Sequence, residues 1–333
     1  MKALSLLTAA AMFAGALAPE ALADGRKPGS LLVYTVHRSG PMMFTIVCVT
    51  NTNTDPATPT TFGGSTNVHF EYVNVVPNPA DPFKPYGCTI FDRVEFLTPA
   101  DTLCVLTHCH NATSPMGQEG YLVVTAEDPS AFETPWVHND LIGSELVVNG
   151  SGAVYSINAI PFEGLNVNND RLAELDGAEY EQAPDRLYID SYVGLAGSQL
   201  ALINATGGPL DCNSVYFGVW NDNEFPLSAT LRFNCWFDQP LTAVSPLFAD
   251  SFLASLPNDP QELDINCDGV GDVETGWATI QSRGVFTPGG MEIGNGDGVL
   301  LGSITAGPMT MINGGRLLWE SVDTQDNGKF FNP

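Results

Sequence analysis

Phe70-Glu71-Tyr72-Val73-Asn74 returns in the second half of the chain as Phe217-Gly218-Val219-Trp220-Asn221. Both read as β-strands. Four further matches flank this pair in the same order. Leu31-Leu32-Val33-Tyr34 parallels Leu187-Tyr188-Ile189-Asp190, and Val49-Thr50-Asn51 parallels Leu202-Ile203-Asn204. A Phe-led strand at Phe91–Thr98 is set against Phe233–Thr242, and Gly120-Tyr121 against Gly276-Trp277. Five matches in one order argue for an internal duplication with divergent loops.

Around these anchors, short runs of Val, Ile, Tyr, Phe and Thr alternate with Gly, Pro, Asn and Asp clusters, the signature of strands and turns. The first half reads as strands at Leu31–Val36, Phe44–Thr50, Val68–Val75, Thr89–Phe96, Thr102–His108, Tyr121–Ala126 and Val154–Ile160. Leu141–Val148 fits either type. The second half reads as strands at Leu187–Val193, Gln199–Asn204, Val215–Trp220, Ala229–Phe237, Trp277–Ser282, Gly298–Ser303 and Arg316–Glu320. One helix is expected over Pro246–Leu256, where Leu247, Phe248, Phe252, Leu253 and Leu256 fall near helical spacing. The expected fold is all-β: two tandem, duplicated β-sandwich domains with few short helices. Residues 24–162 form the first and 185–333 the second. The stretch 163–184 is acidic and Asn-rich and reads as a solvated linker.

The chain has 333 residues, with 38 Asp+Glu against 12 Lys+Arg and a net charge of -26. Such a charge argues against nucleic-acid binding and against docking on anionic lipid. Lys2, the apolar run Ala3–Ala18 and Ala21-Leu22-Ala23 read as a secretory signal peptide over residues 1–23, cleaved near Ala23. The apolar run is short for a membrane span, so the mature chain is expected to be secreted, extracellular or periplasmic, with no direct membrane insertion. Seven cysteines follow, which in an exported chain suggests disulfides. Two bridges in the first half and one in the second would leave one thiol over. The connectivity is not readable from spacing.

Two stretches carry metal-ligand chemistry. Asp264-Ile265-Asn266-Cys267-Asp268-Gly269-Val270-Gly271-Asp272-Val273-Glu274-Thr275 resembles the calcium loop of EF-hands, dockerins and thrombospondin type 3 repeats. By that resemblance Asp264, Asn266 and Asp268 would offer side-chain oxygens, Val270 its carbonyl, and Asp272 a direct or water-mediated ligand to Ca2+. Glu274 would supply the nearest late carboxylate, one residue before the usual position. The second stretch is His108-Cys109-His110. On a strand, His108 and His110 would share a face and could chelate a transition metal, joined by His138 and Asp140. The alternative is that these histidines hydrogen-bond in a loop rim.

No nucleophile elbow, zinc-protease helix, Walker loop or dinucleotide fingerprint occurs. The segments Phe233–Phe237, Tyr180–Asp185 and Val137–Gly143 resemble a group of exported bacterial tandem β-sandwich proteins of unknown function, which implies a secreted two-domain β-protein and no activity. The expected function is a non-enzymatic structural or adhesion-type protein, stiffened by calcium, with a cell-surface glycan or matrix protein as partner. The alternatives are a carbohydrate-binding module using Trp136, Tyr192, Trp220, Trp236 or Trp277, and a hydrolase with an unrecognised carboxylate pair.

Overall fold

The computed structural model describes residues 27–111, 118–131, 133–148, 154–193, 198–206, 208, 210–221, 224–256, 264, 266–271, 273–293, 300–305, 314–321 and 328–331. Residues 1–23, read from the sequence as a signal peptide, lie outside them. The first half contributes β1 (Leu31–Arg38), β2 (Phe44–Asn51), β3 (Thr66–Val76), β4 (Gly87–Leu97), β5 (Thr102–Leu106), β6 (Glu119–Glu127), β7 (Leu141–Val148), β8 (Val154–Asn158), β9 (Ile160–Phe162) and β10 (Leu172–Leu175). The second half contributes β11 (Arg186–Val193), β12 (Gln199–Asn204), β13 (Cys212–Asn221), β14 (Pro226–Asn234), β15 (Trp236–Pro240), β16 (Thr275–Phe286), β17 (Leu300–Thr305), β18 (Gly315–Leu317), β19 (Trp319–Ser321) and β20 (Gly328–Phe331).

The duplication is visible in the topology. Sheet I runs β4-β3-β6-β1-β9 and sheet II β5-β2-β7-β8. Sheet III runs β14-β13-β16-β11-β19 and sheet IV β15-β12-β17-β18. Adding ten to each strand number converts I into III and II into IV. Among the described residues the strand pairings are antiparallel, and a bulge interrupts β1 between Tyr34 and His37 and β11 between Ile189 and Tyr192. Gly120 and Gly276 are equivalent. A Cβ on either would strike a neighbouring backbone carbonyl, Val73 in one copy and Trp220 in the other. Glycine precedes the aromatic in both halves because only glycine allows that approach. Register corrects two of the expected matches. Leu32, not Leu31, is the counterpart of Leu187, since each lies opposite its strand partner in the same way. Phe91 lies on β4 and corresponds to Leu227, because β3 and β13 align through Asn74 and Asn221; Phe233 corresponds to Leu97.

Each half is a β-sandwich with its own core. Leu32, Tyr34, Phe70, Tyr72, Leu122 and Val49 fill the space between sheets I and II. Leu187, Ile189, Phe217, Val219, Ile280 and Leu202 fill that between III and IV. A third core joins the halves. Leu31, Val33, Val73, Tyr121 and Ile160, on the outer face of sheet I, meet Ala201, Ile203, Trp236 and Leu301 on the outer face of sheet IV. The sheets therefore follow one another in the order II, I, IV, III. β1 and β3 are buried on both faces, and β1 accordingly opens as a continuous apolar run, Leu31 to Tyr34, whereas β14 alternates exposed and covered residues.

The joint is pinned by polar contacts. Arg38 pairs with Asp238 across the halves and with Glu119. Trp236 Nε1 donates to the Thr35 carbonyl at 2.9 Å, and the Thr35 and Ser303 hydroxyls meet at 2.6 Å. Cys48–Cys104 bridges β2 to β5, and Cys88–Cys235 bridges one half to the other. The expectation of bridges confined within each half is thus corrected: Cys109, Cys212 and Cys267 are free.

The stretch 163–184 departs from a solvated linker. Ala173, Leu175, Tyr180 and Ala183 enter the third core, and β10 pairs with the C-terminal β20. Its acids fold the segment on itself. Glu179 accepts the Asn168 and Glu174 backbone N–H groups at 3.2 and 3.0 Å, and Asp176 accepts those of Ala178 and Glu179. Acidic composition here serves backbone satisfaction rather than solvation. The expected helix is also shorter. A 3₁₀ turn at Pro246–Phe248, capped by the Ser245 side chain, precedes a single α-turn at Asp250–Leu253, because Ala249 between them is extended.

Candidate functional site

Among the described residues, the order II, I, IV, III leaves two large sheet faces open, one at each end. On sheet III, Trp220 of β13 lies opposite Trp277 of β16, and their rings stack at 4.2 Å with 8° between planes. Trp277 is 40% exposed. Trp319, on the edge strand β19, pairs with Tyr188 and is 53% exposed. The Arg283 guanidinium lies over the Tyr216 ring at 4.7 Å. Outward positions between them are Thr230, Ser228, Thr279 and Gln281. The face is aromatic and hydroxylated, with Arg232 and Arg283 exposed on it and an exposed acid, Asp190, paired with Arg316, in a chain of net charge -26. Because Trp220 and Trp277 cover one another, each offers at most one ring face to a ligand. Of the other tryptophans and tyrosines considered from sequence, Trp136 donates to Thr66 and stacks on His138, and Trp236 and Tyr192 are buried. Trp319 was not among them. Its signal was position: an aromatic on a short strand after Arg316.

Sheet II has the opposite chemistry. The outward positions of β2, β5, β7 and β8, among them Ile46, Thr50, Leu106, Ile142, Leu146 and Val154, include no charged residue. A shallow cavity of about 300 Å³ opens on this face beside Ile142, Ser144 and Asn158. No carboxylate lines it. The Lys27 ammonium at its rim is held by Glu163 and Glu181 at 3.0 and 2.5 Å.

The calcium-type loop is partly described. Asp264 accepts backbone N–H groups from Asn266, Cys267, Asp268 and Gly269 at 3.2, 2.5, 3.2 and 2.7 Å. Those bonds, Gly269 foremost, hold its carboxyl below the usual Asp range. Asn266 and Asp268 side chains accept from Asp268 and Val270 N–H in turn. Gly269 takes φ +86°, the left-handed turn expected of it. Val270 is exposed, Asp272 lies outside the described residues, and Glu274 is buried with its N–H on Asp250. The turn therefore gathers Asp264, Asn266 and Asp268 on one short bend.

The histidines are not on a strand. β5 ends at Leu106, and Thr107–His110 forms one helical turn, α1. The Thr107 hydroxyl is tied to the Arg38 and Thr45 carbonyls, which stops the strand there. The shared-face geometry expected for His108 and His110 is therefore corrected. His110 is engaged at both nitrogens, by the Tyr72 hydroxyl at 2.7 Å and Glu95 at 3.3 Å. His138 Nε2 lies 3.0 Å from Asn51 Oδ1, and His108 Nδ1 3.4 Å from the Ser39 carbonyl. Burial pushes His110 and His138 below the ordinary imidazole range. Among the described residues no set of three His, Cys, Asp or Glu side chains converges on a metal position.

One buried polar cluster was not foreseen. On the outer face of sheet I, His69 Nδ1 lies 3.0 Å from Glu127 and Nε2 3.8 Å from Asp92. Burial opposes the His69 charge, but its bonds to Asp92 and Glu127 and the nearby Glu71 push it up to about 10. Glu71, beside it, is pushed up to about 8, chiefly by burial and then by Asp92 and Glu127. His69, Glu71 and Glu127 are buried, Asp92 reaches solvent from β4, and the cluster lies on neither of the two terminal faces.

Among the described residues no helix is long and apolar enough to cross a membrane, and the two disulfides are compatible with an extracellular or periplasmic location. Compared with protein-family models, curated proteins and solved structures, the chain matches none.

Proposed function

We propose that this chain is an exported, non-enzymatic structural or adhesive protein that acts through its two terminal sheet faces. The observation that carries the reading is the uncharged outer face of sheet II in a chain with 38 acids. A solvated face in so acidic a protein would carry its share of carboxylates, and a broad uncharged one marks a contact surface. Calcium at Asp264, Asn266 and Asp268 would stiffen the second half. The test is retention of the purified chain on envelope and matrix fractions of the producing cells. Ile142→Lys or Trp277→Lys is expected to reduce it severalfold. Retention indifferent to both faces, or turnover of a polysaccharide, peptide or ester by the chain, would overturn the reading.

A glycan platform on sheet III is the second reading, favoured by exposed Trp319 and Trp277 beside Thr279 and Gln281. It predicts quenching of tryptophan fluorescence by oligosaccharides, lost in Trp319→Ala. Unchanged emission across a panel of neutral and acidic oligosaccharides would exclude it.

A further inference from the structure

We propose that the chain associates with copies of itself head to tail, the outer face of sheet III on one molecule docking on the outer face of sheet II of the next. The inference specifies the partner of the structural reading above: a second copy.

The template is the joint inside the chain. There, the outer face of sheet I meets the outer face of sheet IV. Strand order makes sheet III the counterpart of I, and sheet II the counterpart of IV. The two faces left open are therefore the repeats of the two faces that already bind each other. Val33, Val73, Tyr121 and Ile160 are buried at the joint. Register places Tyr188, Trp220, Trp277 and Trp319 at the same four positions of sheet III. Opposite them, Leu301 and Ser303 of sheet IV become Ile142 and Ser144 of sheet II, through the matching Gly302 and Gly143.

An interface between unlike faces of one molecule does not use itself up. Each added copy presents a fresh face, so the product is a row or a closed ring. Sheet II contributes no charge to oppose this; on sheet III the outward positions of β13, β14 and β16 carry Arg232 and Arg283, and the exposed Asp190 of β11 is paired with Arg316. That removes from the contact the repulsion expected between two molecules of charge -26. The cover differs as well. Beside sheet I the joint is closed by Ala173 and Leu175 of β10, but β20, the counterpart of β10, pairs with β10 itself. The equivalent strand is thus not spent on sheet III. The covalent pin is not repeated either. The strand that matches the one carrying Cys88, β14, holds no cysteine, so the contact between copies is reversible where the internal one is locked.

The test uses the full chain and two single-face variants, Ile142→Lys on sheet II and Trp277→Lys on sheet III. Sedimentation velocity and electron microscopy over a concentration series are expected to show mass growing past the dimer, into rows or rings. Each variant alone should stay monomeric, and their equimolar mixture should stop at a dimer, because only one pair of intact faces remains. Circular dichroism confirms that both variants fold, with Leu146→Lys and Trp319→Lys as substitutes. A wild-type chain that stays monomeric throughout overturns the proposal. So does a dimer that persists in either single variant, since that contact would be between like faces. Matrix retention measured on the same proteins separates the readings: a monomeric chain still retained through these faces sinks self-association and leaves the adhesive role standing.

Discussion

Removing the bridge between the halves, by Cys88→Ser with Cys235→Ser, tests whether the third core alone holds them. The bridge closes a loop of 147 residues. Chain-entropy arithmetic for a loop of that length gives about 17 cal/mol/K, or about 5 kcal/mol at 25 °C, released to the unfolded chain when the bridge is absent. The native contacts across the joint remain: the Arg38–Asp238 pair, the bond from Trp236 to Thr35, and the apolar core itself. The expected outcome of urea unfolding is a single transition whose midpoint drops by the equivalent of about 5 kcal/mol, with little change in slope. Fluorescence and circular dichroism should still report the same midpoint. Two separate transitions would refute the reasoning, because they would mean that the halves unfold as independent domains and share no core. An unchanged midpoint would refute it in another way, by showing that the bridge does not constrain the unfolded chain.

Other perturbations probe the joint, the buried cluster and the loop. Arg38→Met leaves Asp238 buried and unpaired and is expected to cost about 3–5 kcal/mol in chemical unfolding, while Arg38→Met with Asp238→Leu recovers most of the loss. Equal loss in the single and double variants would contradict the pairing. Glu71 and His69 have folded-state pKa values raised to about 8 and about 10, so each contributes stability that is complete below its unfolded value and fades as pH rises toward the folded one. The melting temperature should therefore fall between about pH 6.5 and pH 9, more steeply in the parent than in Glu71→Gln; a rise over that range would reverse the assignment. Calcium at a hundredfold excess over its dissociation constant should add about 2.7 kcal/mol of stability relative to EDTA, and Asp264→Ala with Asp268→Ala should abolish the gain. No shift at millimolar calcium would remove the loop from consideration as a metal site.

Most strands and the duplication were legible because both depend on short-range rules. Asn51 and Asn204 each end a strand and donate a side-chain N–H to a loop carbonyl, at Gly64 and Asp211, so the repeated asparagine has a physical cause within its own copy. The joint between halves was harder to read. It was encoded in Leu31–Val36, a run buried on both faces, but a continuous apolar strand does not say what covers its second side. The segment 163–184 misled through average composition: Leu175 and Tyr180, buried in the third core, were outweighed by carboxylates that bond to their own backbone. His108 and His110 looked like a chelating pair only while β5 was taken to continue, and the Thr107 hydroxyl bonds that end it are tertiary. Of the candidate surfaces, the tryptophans were visible as residues, but their grouping on one face required the register of β13 against β16.

The link from Cys88 to Cys235 also sets an order of events. Synthesis delivers the first half before its covalent partner exists, and the outer face of sheet I, with Leu31, Val33, Val73 and Tyr121, has nothing to cover it until β12, β15 and β17 arrive. Throughout that interval Cys88 is an unclaimed thiol on a chain that already carries Cys48, Cys104 and Cys109. Correct pairing thus depends on time as well as geometry. Early oxidation would trap Cys88 with a neighbour from its own half and leave Cys235 without its mate, so slowing the oxidant should raise the yield of native protein.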